Sequence, residues 1–142
     1  MSTSEPVLSD YPLRTTDKIR YADTDRQGHV NNAVFSSLLE NGRVELLYDP
    51  QKPLAAPGCS FVIANLNLSF LSEIVWPGQV ETGTRVAKVG RSSVTLEQAI
   101  FQGERVTATA TTVIVHVSGE TRRSAPFSEP AVQALSALLA KV

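Results

Sequence analysis

The stretch "YADTDRQGHVNN", residues 21–32, carries two carboxylates, a histidine and two asparagines directly before a strongly amphipathic run. A carboxylate such as Asp25 can act as a general base or as a nucleophile. The free N–H groups at the start of a long helix carry a partial positive charge of roughly +0.5, which suits a developing oxyanion. The spacing therefore indicates a base or nucleophile beside an electrophilic clamp.

The same residues also have a purely structural interpretation, because Asp and Asn commonly shape turns and cap helices. Two features favour chemistry. Asp23, Asp25 and the Asn-Asn pair supply more polar groups than one helix cap needs. Gly28 also allows a positive φ or a close backbone approach. From the residues alone, both interpretations stay open.

The element that must position this stretch is a helix over Asn32–Tyr48. Apolar residues recur there at helical spacing, with Glu40, Arg43 and Glu45 between them: Val34, Phe35, Leu38, Leu39, Leu46 and Leu47. Asn31 or Asn32 can cap its start, and the prolines of "DPQKPLAAPG" end it.

The remainder of the chain predicts strands. A first strand is expected in 13–21, and later strands are separated by turns at "WPGQ", Gly90 and Gly103. In the strand over 61–70, one face is predicted to carry Val62, Ala64, Leu66, Leu68 and Phe70. Ser128 and Pro130 start a short C-terminal helix. We expect residues 1–12 to form a mobile tail and 13–142 a single α+β domain, with the long helix on one face of an antiparallel sheet.

Composition narrows the class of protein. The 142 residues carry a formal net charge of −1, which gives no case for binding nucleic acid or a membrane surface. No apolar run reaches the roughly 18 residues that span a bilayer, and no secretory signal is recognisable. The chain has a single cysteine, Cys59, which argues against a thiolate metal site. We expect a cytoplasmic protein without a metal site.

The stretch "RYADTDRQGHVNNAVFSSLLENGRVELL" resembles the hotdog-fold acyl-CoA thioesterases of the 4-hydroxybenzoyl-CoA thioesterase type, in the branch with a D-x-D-x-x-G-H-V-N-N pattern. The resemblance implies a long central helix wrapped by a curved antiparallel sheet of about five strands. It also implies hydrolysis of an acyl-CoA without a metal or organic cofactor. In this family the second aspartate is catalytic, here Asp25, and the backbone N–H of Asn32 polarises the thioester carbonyl. The family forms homodimers that often pair into homotetramers.

Further site residues are expected around this pair. His29 is predicted to line the site with a catalytic role, and Gly28 and Asn31 to contact the substrate. In the family, the turn corresponding to "KVGRSS" supplies basic side chains to the phosphates of coenzyme A. That role falls here on Lys88, Arg91 and Ser92. The alternative for these three residues is a solvated hairpin turn.

Some residues depart from this pattern or lie outside it. Phe35 stands where the branch often has tyrosine, so the resemblance does not identify the acyl group of the substrate. Glu40 and Arg43 are interpreted as a surface ion pair at i, i+3 spacing, and His116 as a strand residue without a chemical role. Two other functions stay open: a non-catalytic acyl-CoA-binding protein, which Asp25 argues against, and an enoyl-CoA hydratase, whose Asp-His motif is missing.

Overall fold

The computed structural model of this protein describes residues 5–139. Its main elements follow the chain in the order β1 (Leu13–Ile19), α1 (Asn32–Leu47), β2 (Cys59–Phe70), β3 (Gly78–Val89), β4 (Ser93–Gln102), β5 (Arg105–Ser118) and α2 (Glu129–Ser136). Single 3₁₀ turns lie at Leu8–Asp10 and Tyr21–Asp23. No helix in the described part of the chain is long and apolar enough to cross a membrane.

All five strands form one antiparallel sheet in the order β1-β3-β4-β5-β2. The pairs β3–β4 and β4–β5 are hairpins with short connections, as the glycine turns predict. The strands β1 and β2 are therefore the two edges. The predicted fold class, an α+β domain with a long helix against a curved sheet of five strands, is confirmed.

Helix α1 lies on one face of the sheet and begins one residue after its cap. The Oδ1 atom of Asn31 accepts a hydrogen bond from the N–H of Ala33 at 2.9 Å, which confirms Asn31 as the cap. The helix buries Phe35, Leu38 and Leu39 in one core cluster. The residues that join them there come from β3, β4, β5 and the β2–β3 loop: Ile74, Val80, Ile100, Ala108 and Ala110.

A glycine in the middle of α1 allows a polar contact with the sheet. A Cβ atom at Gly42 would lie 2.8 Å from Nε2 of Gln98 and 3.0 Å from Oγ1 of Thr84. Gln98 is buried, and its Nε2 donates to the carbonyl of Leu39 and to Thr84, both at 3.0 Å. The helix thus approaches β4 more closely at Gly42 than any side chain would permit.

The prediction for the faces of β2 is wrong at its first half. The register with β5 shifts between Ile63 and Asn65, so that Ala64 is a bulge. Before the bulge, Ile63 lies on the face of the sheet that the helix covers, together with its partner Ile114. After the bulge, Leu66, Leu68 and Phe70 lie on that same face. The extra residue reverses the alternation, and Val62 therefore lies on the opposite face from the one predicted.

The segment predicted to be a mobile tail contacts the domain from Leu8 onward. Tyr11 is buried against Phe101, with 6.2 Å between the ring centroids, and Leu8 packs on the same cluster. Residues 1–4 of that segment, and residues 140–142 of the predicted domain, lie outside the described residues. The C-terminal helix α2 is capped by Ser128, as predicted, and buries Leu135 under β3.

Candidate active site

Asp23 and Asp25 have different environments despite their spacing. Asp23 is buried, and its carboxylate accepts hydrogen bonds from the N–H and the guanidinium of Arg20, both at 2.8 Å. The Arg20 hydrogen bonds hold the pKa of Asp23 below its ordinary value. The carbonyl of Asp23 accepts the N–H of Asn31 at 2.8 Å. Asp23 therefore supports the turn that leads into α1.

Asp25 is exposed at the tip of that turn, with one carboxylate oxygen held by backbone. Its Oδ1 accepts the N–H groups of Gln27 at 2.8 Å and His29 at 3.2 Å. Gly28 has a φ of +79°, as its type predicted, and its N–H donates to the carbonyl of Asp25 at 3.2 Å. Within residues 5–139 no group donates to Oδ2. That oxygen is available for chemistry while Oδ1 fixes the orientation of the group.

The first N–H of α1, that of Asn32, belongs to a residue that lines the same cavity as Asp25. Ala33 donates to the side chain of Asn31, and Val34 donates to the carbonyl of Asn31 at 2.9 Å. No acceptor in the described part of the chain reaches the N–H of Asn32. The capping role of Asn31 occupies the side chain that we expected to contact substrate, whereas Asn32 keeps a free donor at the positive end of the helix.

A cavity of about 350 Å³ contains these groups. It is lined by Asp25, His29 and Asn32 on its polar side and by an apolar wall of Val30, Phe35, Phe70 and Leu71. Phe35 is buried and meets Phe70 edge to face, with 5.1 Å between the ring centroids. The phenylalanine that replaces the branch's tyrosine thus belongs to the apolar wall. A reacting group with an apolar substituent fits this arrangement.

A second carboxylate in the cavity, Glu73, is absent from our sequence-based site. Its Oε2 lies 3.0 Å from Nε2 of His29. Glu73 follows β2, more than forty positions after His29 in the chain, and no motif surrounds it. The backbone bridge between His29 and Val75, which brings this loop to the site, is a tertiary contact without a local sequence signal.

The predicted coenzyme A residues lie elsewhere in the same chain. Lys88 is near the end of β3, and Arg91 and Ser92 are in the β3–β4 turn. The Asp25 turn follows β1, whose last residue, Ile19, pairs with Gly78 at the start of β3. Lys88 is ten residues further along β3, near its other end. At about 3.3 Å per residue this is about 33 Å. A single chain does not bring the two predicted sites together.

Two interpretations of single residues are tested by the packing. The predicted surface ion pair of Glu40 and Arg43 is wrong, because Arg43 is only 5% exposed and lies between α1 and the sheet. Its Nη1 donates to Oε1 of Gln98 at 3.4 Å, and burial lowers its pKa.

His116 is buried in β5, where Nε2 accepts the N–H of Ala56 at 3.1 Å and Nδ1 lies 2.9 Å from the carbonyl of Ala125. No cluster of three metal-ligating side chains occurs in residues 5–139.

Comparison with known proteins identifies the family. The sequence profile described as "Thioesterase-like superfamily" matches residues 19–135. A thioesterase from Thermus thermophilus, solved in complex with coenzyme A and Zn, is similar at 30% identity over 88% of this chain and 98% of its own, with a TM-score of 0.77. The PA5185 protein from Pseudomonas aeruginosa PAO1 shares the fold at 24% identity over 96% and 98% of the two chains, with a TM-score of 0.86.

A DHNA-CoA thioesterase from Staphylococcus aureus shares the fold at 21% identity over 80% of this chain and 79% of its own, with a TM-score of 0.70. No curated protein sequence matches the chain significantly. The resemblance seen in the D-x-D-x-x-G-H-V-N-N stretch is confirmed by the family profile and by the fold of these relatives. This chain belongs to the Thioesterase-like superfamily and is a thioester hydrolase with the hotdog fold.

Proposed function

We propose that the protein is an acyl-CoA thioesterase that uses Asp25 to hydrolyse an acyl-CoA to a free acid and coenzyme A. The observation that carries the proposal is a single cavity with an apolar wall, lined by both Asp25 and Asn32. Within residues 5–139, Oδ2 of Asp25 accepts no hydrogen bond and the N–H of Asn32 donates none. The coenzyme A held by the 30% identical Thermus relative supports this choice of thioester.

The carboxylate can act in two ways. Asp25 attacks the thioester carbonyl, the C–S bond breaks, and coenzyme A leaves as a thiolate, so that a mixed anhydride remains for water to open. Alternatively, Asp25 takes a proton from a water molecule as that water attacks the carbonyl. In both routes negative charge develops on the carbonyl oxygen, where the N–H of Asn32 and the positive end of α1 stabilise it. Neither route needs a metal or an organic cofactor.

We also propose that the working unit is a homodimer, or a homotetramer built from dimers. The edge strand β2 exposes apolar side chains along its length, among them Val62, Ile63, Leu66 and Phe70, at 37% to 50% exposure. An exposed apolar edge invites a second copy. The separation of Asp25 from the Lys88–Ser92 turn within one chain supports the same unit, since a partner can supply the turn that binds coenzyme A. We place the reaction in the cytoplasm, where the free thiol of Cys59 stays reduced.

The proposed activity is tested by incubating the purified protein with acyl-CoAs of short, long, branched and aromatic acyl groups, with a thiol-detecting reagent present. We expect catalytic release of free thiol from at least one of them. Stoichiometric binding of an acyl-CoA without turnover would instead identify a binding protein. A hydroxyacyl product formed from an enoyl-CoA, without thiol release, would identify a hydratase.

A further inference from the structure

The loop between β2 and β3 is fastened to the turn that carries His29. The N–H of Val30 donates to the carbonyl of Ile74 at 2.9 Å, and His29 forms an isolated antiparallel bridge with Val75. Ile74 is fully buried in the main core cluster. The backbone on each side of the His29–Glu73 pair is therefore set by hydrogen bonds and by burial.

The β4–β5 hairpin holds the same loop from the other side. The side-chain amide of Gln102 makes two hydrogen bonds with the backbone of Val75, one accepted at 3.0 Å and one donated at 2.9 Å. Arg105 donates through Nη1 to the carbonyl of Glu73 and through Nη2 to Oε1 of Gln102 at 3.1 Å. Glu73 thus has a fixed backbone although its side chain is 64% exposed.

The contact between Glu73 and His29 decides which ring nitrogen carries the proton. Oε2 of the glutamate is 3.0 Å from Nε2 of the histidine, so a neutral ring places its hydrogen on Nε2 and leaves Nδ1 as an acceptor. Within residues 5–139 no group forms a hydrogen bond with Nδ1. Since the pair is partly exposed, its ion-pair attraction is weak. What the contact provides is orientation.

We propose that Glu73 is a positioning residue, which holds His29 in the Nε2–H form so that Nδ1 receives the proton of the attacking water. The inference rests on the proposed thioesterase function and adds a second proton acceptor to the site. The step is the opening of the mixed anhydride that forms when Asp25 attacks the thioester. As the water oxygen bonds to the acyl carbon, one of its protons passes to Nδ1 and the C–O electron pair returns to the Asp25 carboxylate.

Two carboxylates share the cavity with this histidine: Asp25 lies on its own turn and Glu73 on the β2–β3 loop. Arg105, at the start of β5, contacts the backbone carbonyl of Glu73. The two carboxylates have different tasks in this arrangement. Asp25 has one oxygen, Oδ2, that accepts no hydrogen bond within residues 5–139, whereas Oε2 of Glu73 contacts the ring.

The tautomer is measurable because the chain has only two histidines. In His116 the N–H of Ala56 donates to Nε2, so the ring proton must be on Nδ1, facing the carbonyl of Ala125. We therefore expect ¹⁵N NMR of tag-free protein, at a pH well above the ordinary histidine pKa of about 6.5, to show two opposite neutral tautomers. The Nε2–H ring belongs to His29 and the Nδ1–H ring to His116, which serves as an internal reference.

The test variant is Glu73→Gln, with Glu120→Gln on an exposed distant turn as its control. An amide can present either a donor or an acceptor, so Glu73→Gln no longer selects one tautomer. We expect the Nε2–H signature of His29 to be lost or mixed, that of His116 to be unchanged, and kcat to fall about 10-fold or more at nearly constant KM. The Glu120→Gln protein should match the wild type in both measurements.

Two results would overturn the proposal: a wild-type His29 without a dominant Nε2–H form, or a Glu73→Gln protein with wild-type kcat. Either would leave the turnover of the wild-type protein intact. Failure of the thioesterase function itself would appear earlier, as an absence of thiol release by the wild-type protein. The two failures are therefore distinguishable.

Discussion

At the scale of single residues, the site separates two aspartates that lie two positions apart. Asp23 has both carboxylate oxygens engaged by Arg20, whereas Asp25 has one oxygen held by turn N–H groups and one free. The backbone N–H of Asn32 completes the arrangement as a donor without a partner among residues 5–139. Asp25→Asn and Asp23→Asn test this division of roles.

Asp25→Asn should lower kcat by about 10²–10⁴-fold without unfolding the protein, because the amide keeps the shape but neither attacks nor takes a proton. Asp49→Asn is a matched control, since Asp49 also accepts a backbone N–H in a turn, from Gln51 at 2.9 Å, away from the cavity. Steady-state kinetics on the best substrate, with circular dichroism for the fold, provide the measurement. An Asp25→Asn protein that keeps half of the wild-type kcat would remove Asp25 from the mechanism.

Substitution of the basic turn should affect binding rather than chemistry. In Lys88→Ala and Arg91→Ala we expect KM for acyl-CoA to rise far more than kcat falls, because phosphate contacts bind substrate and transition state about equally. The effect should shrink for an acyl-pantetheine, which lacks the nucleotide. Lys52→Ala, at an exposed loop position, is the control. Equal penalties on both substrates would exclude the phosphate-binding role.

Because Arg20 and Asp23 form an ion pair, we expect the stability of the folded protein to fall at acidic pH. Since the folded pKa of Asp23 is lowered from 3.8, its stabilisation is fully present above that value and is lost as pH falls through the folded pKa. Asp23→Asn should therefore lower the melting temperature near neutral pH, and the difference from wild type should narrow as pH falls below about 4. A constant difference across this range would show that the ion pair does not contribute to stability.

At the scale of elements, α1 does two things: its start faces the cavity and its middle packs on the sheet. Gly42 makes the second possible, because Gln98 and Thr84 occupy the space where a Cβ would lie. This contact joins the helix to β3 and β4 through polar groups that are buried. The position of the helix start relative to Asp25 depends on it.

Gly42→Ala should destabilise the protein by about 1–3 kcal/mol, as is usual for overpacking. Helix propensity alone predicts the opposite sign, a gain of about 1 kcal/mol. We expect the steric conflict with Gln98 to outweigh the gain in helix propensity. Gln98 is buried, and both of its amide hydrogens are in hydrogen bonds, to Leu39 and Thr84. Ser37→Ala, at an exposed position of the same helix, is the control. Chemical denaturation measures both, and a stabilised Gly42→Ala protein would contradict the packing argument.

Sequence patterns predict some of these elements and miss others for physical reasons. The bounds of α1 follow from its apolar period, its Asn cap and the prolines after it, all of which are local signals. The faces of β2 do not, because one bulged residue at Ala64 reverses the alternation. Arg43 resembles a surface residue by spacing but is buried by the sheet. Glu73 reaches the site only through a loop held by Gln102 and Arg105.

At the scale of the whole molecule, the sheet has two edges of different character. The edge strand β1 pairs with β3 and exposes polar residues such as Thr16 and Lys18. The edge strand β2 is longer and exposes apolar residues on both of its faces. The second edge is therefore the surface on which we propose that another copy pairs.

Val62→Lys should weaken self-association, since Val62 is 47% exposed on the outer face of β2 and a charge there disfavours edge pairing. Thr16→Lys, at an exposed position of the opposite edge, is the control. Sedimentation velocity over a dilution series should show monomers for Val62→Lys at concentrations where the control stays associated, with a parallel loss of specific activity. A wild-type protein that is monomeric and fully active when dilute would exclude the shared site.

The distance along β3 between the Asp25 turn and the Lys88–Ser92 turn has a genetic consequence. If each site takes its carboxylate from one chain and its phosphate contacts from the other, two variants that are each impaired at low acyl-CoA concentration can complement each other. Refolding equal amounts of Asp25→Asn and Lys88→Ala/Arg91→Ala chains together would restore about one quarter of the wild-type sites, since about half of the dimers are mixed and each has one intact site. With acyl-CoA held below the raised KM, neither variant alone recovers that activity at any protein concentration. Cells that carry both alleles would then keep the reaction that cells with either allele alone lose.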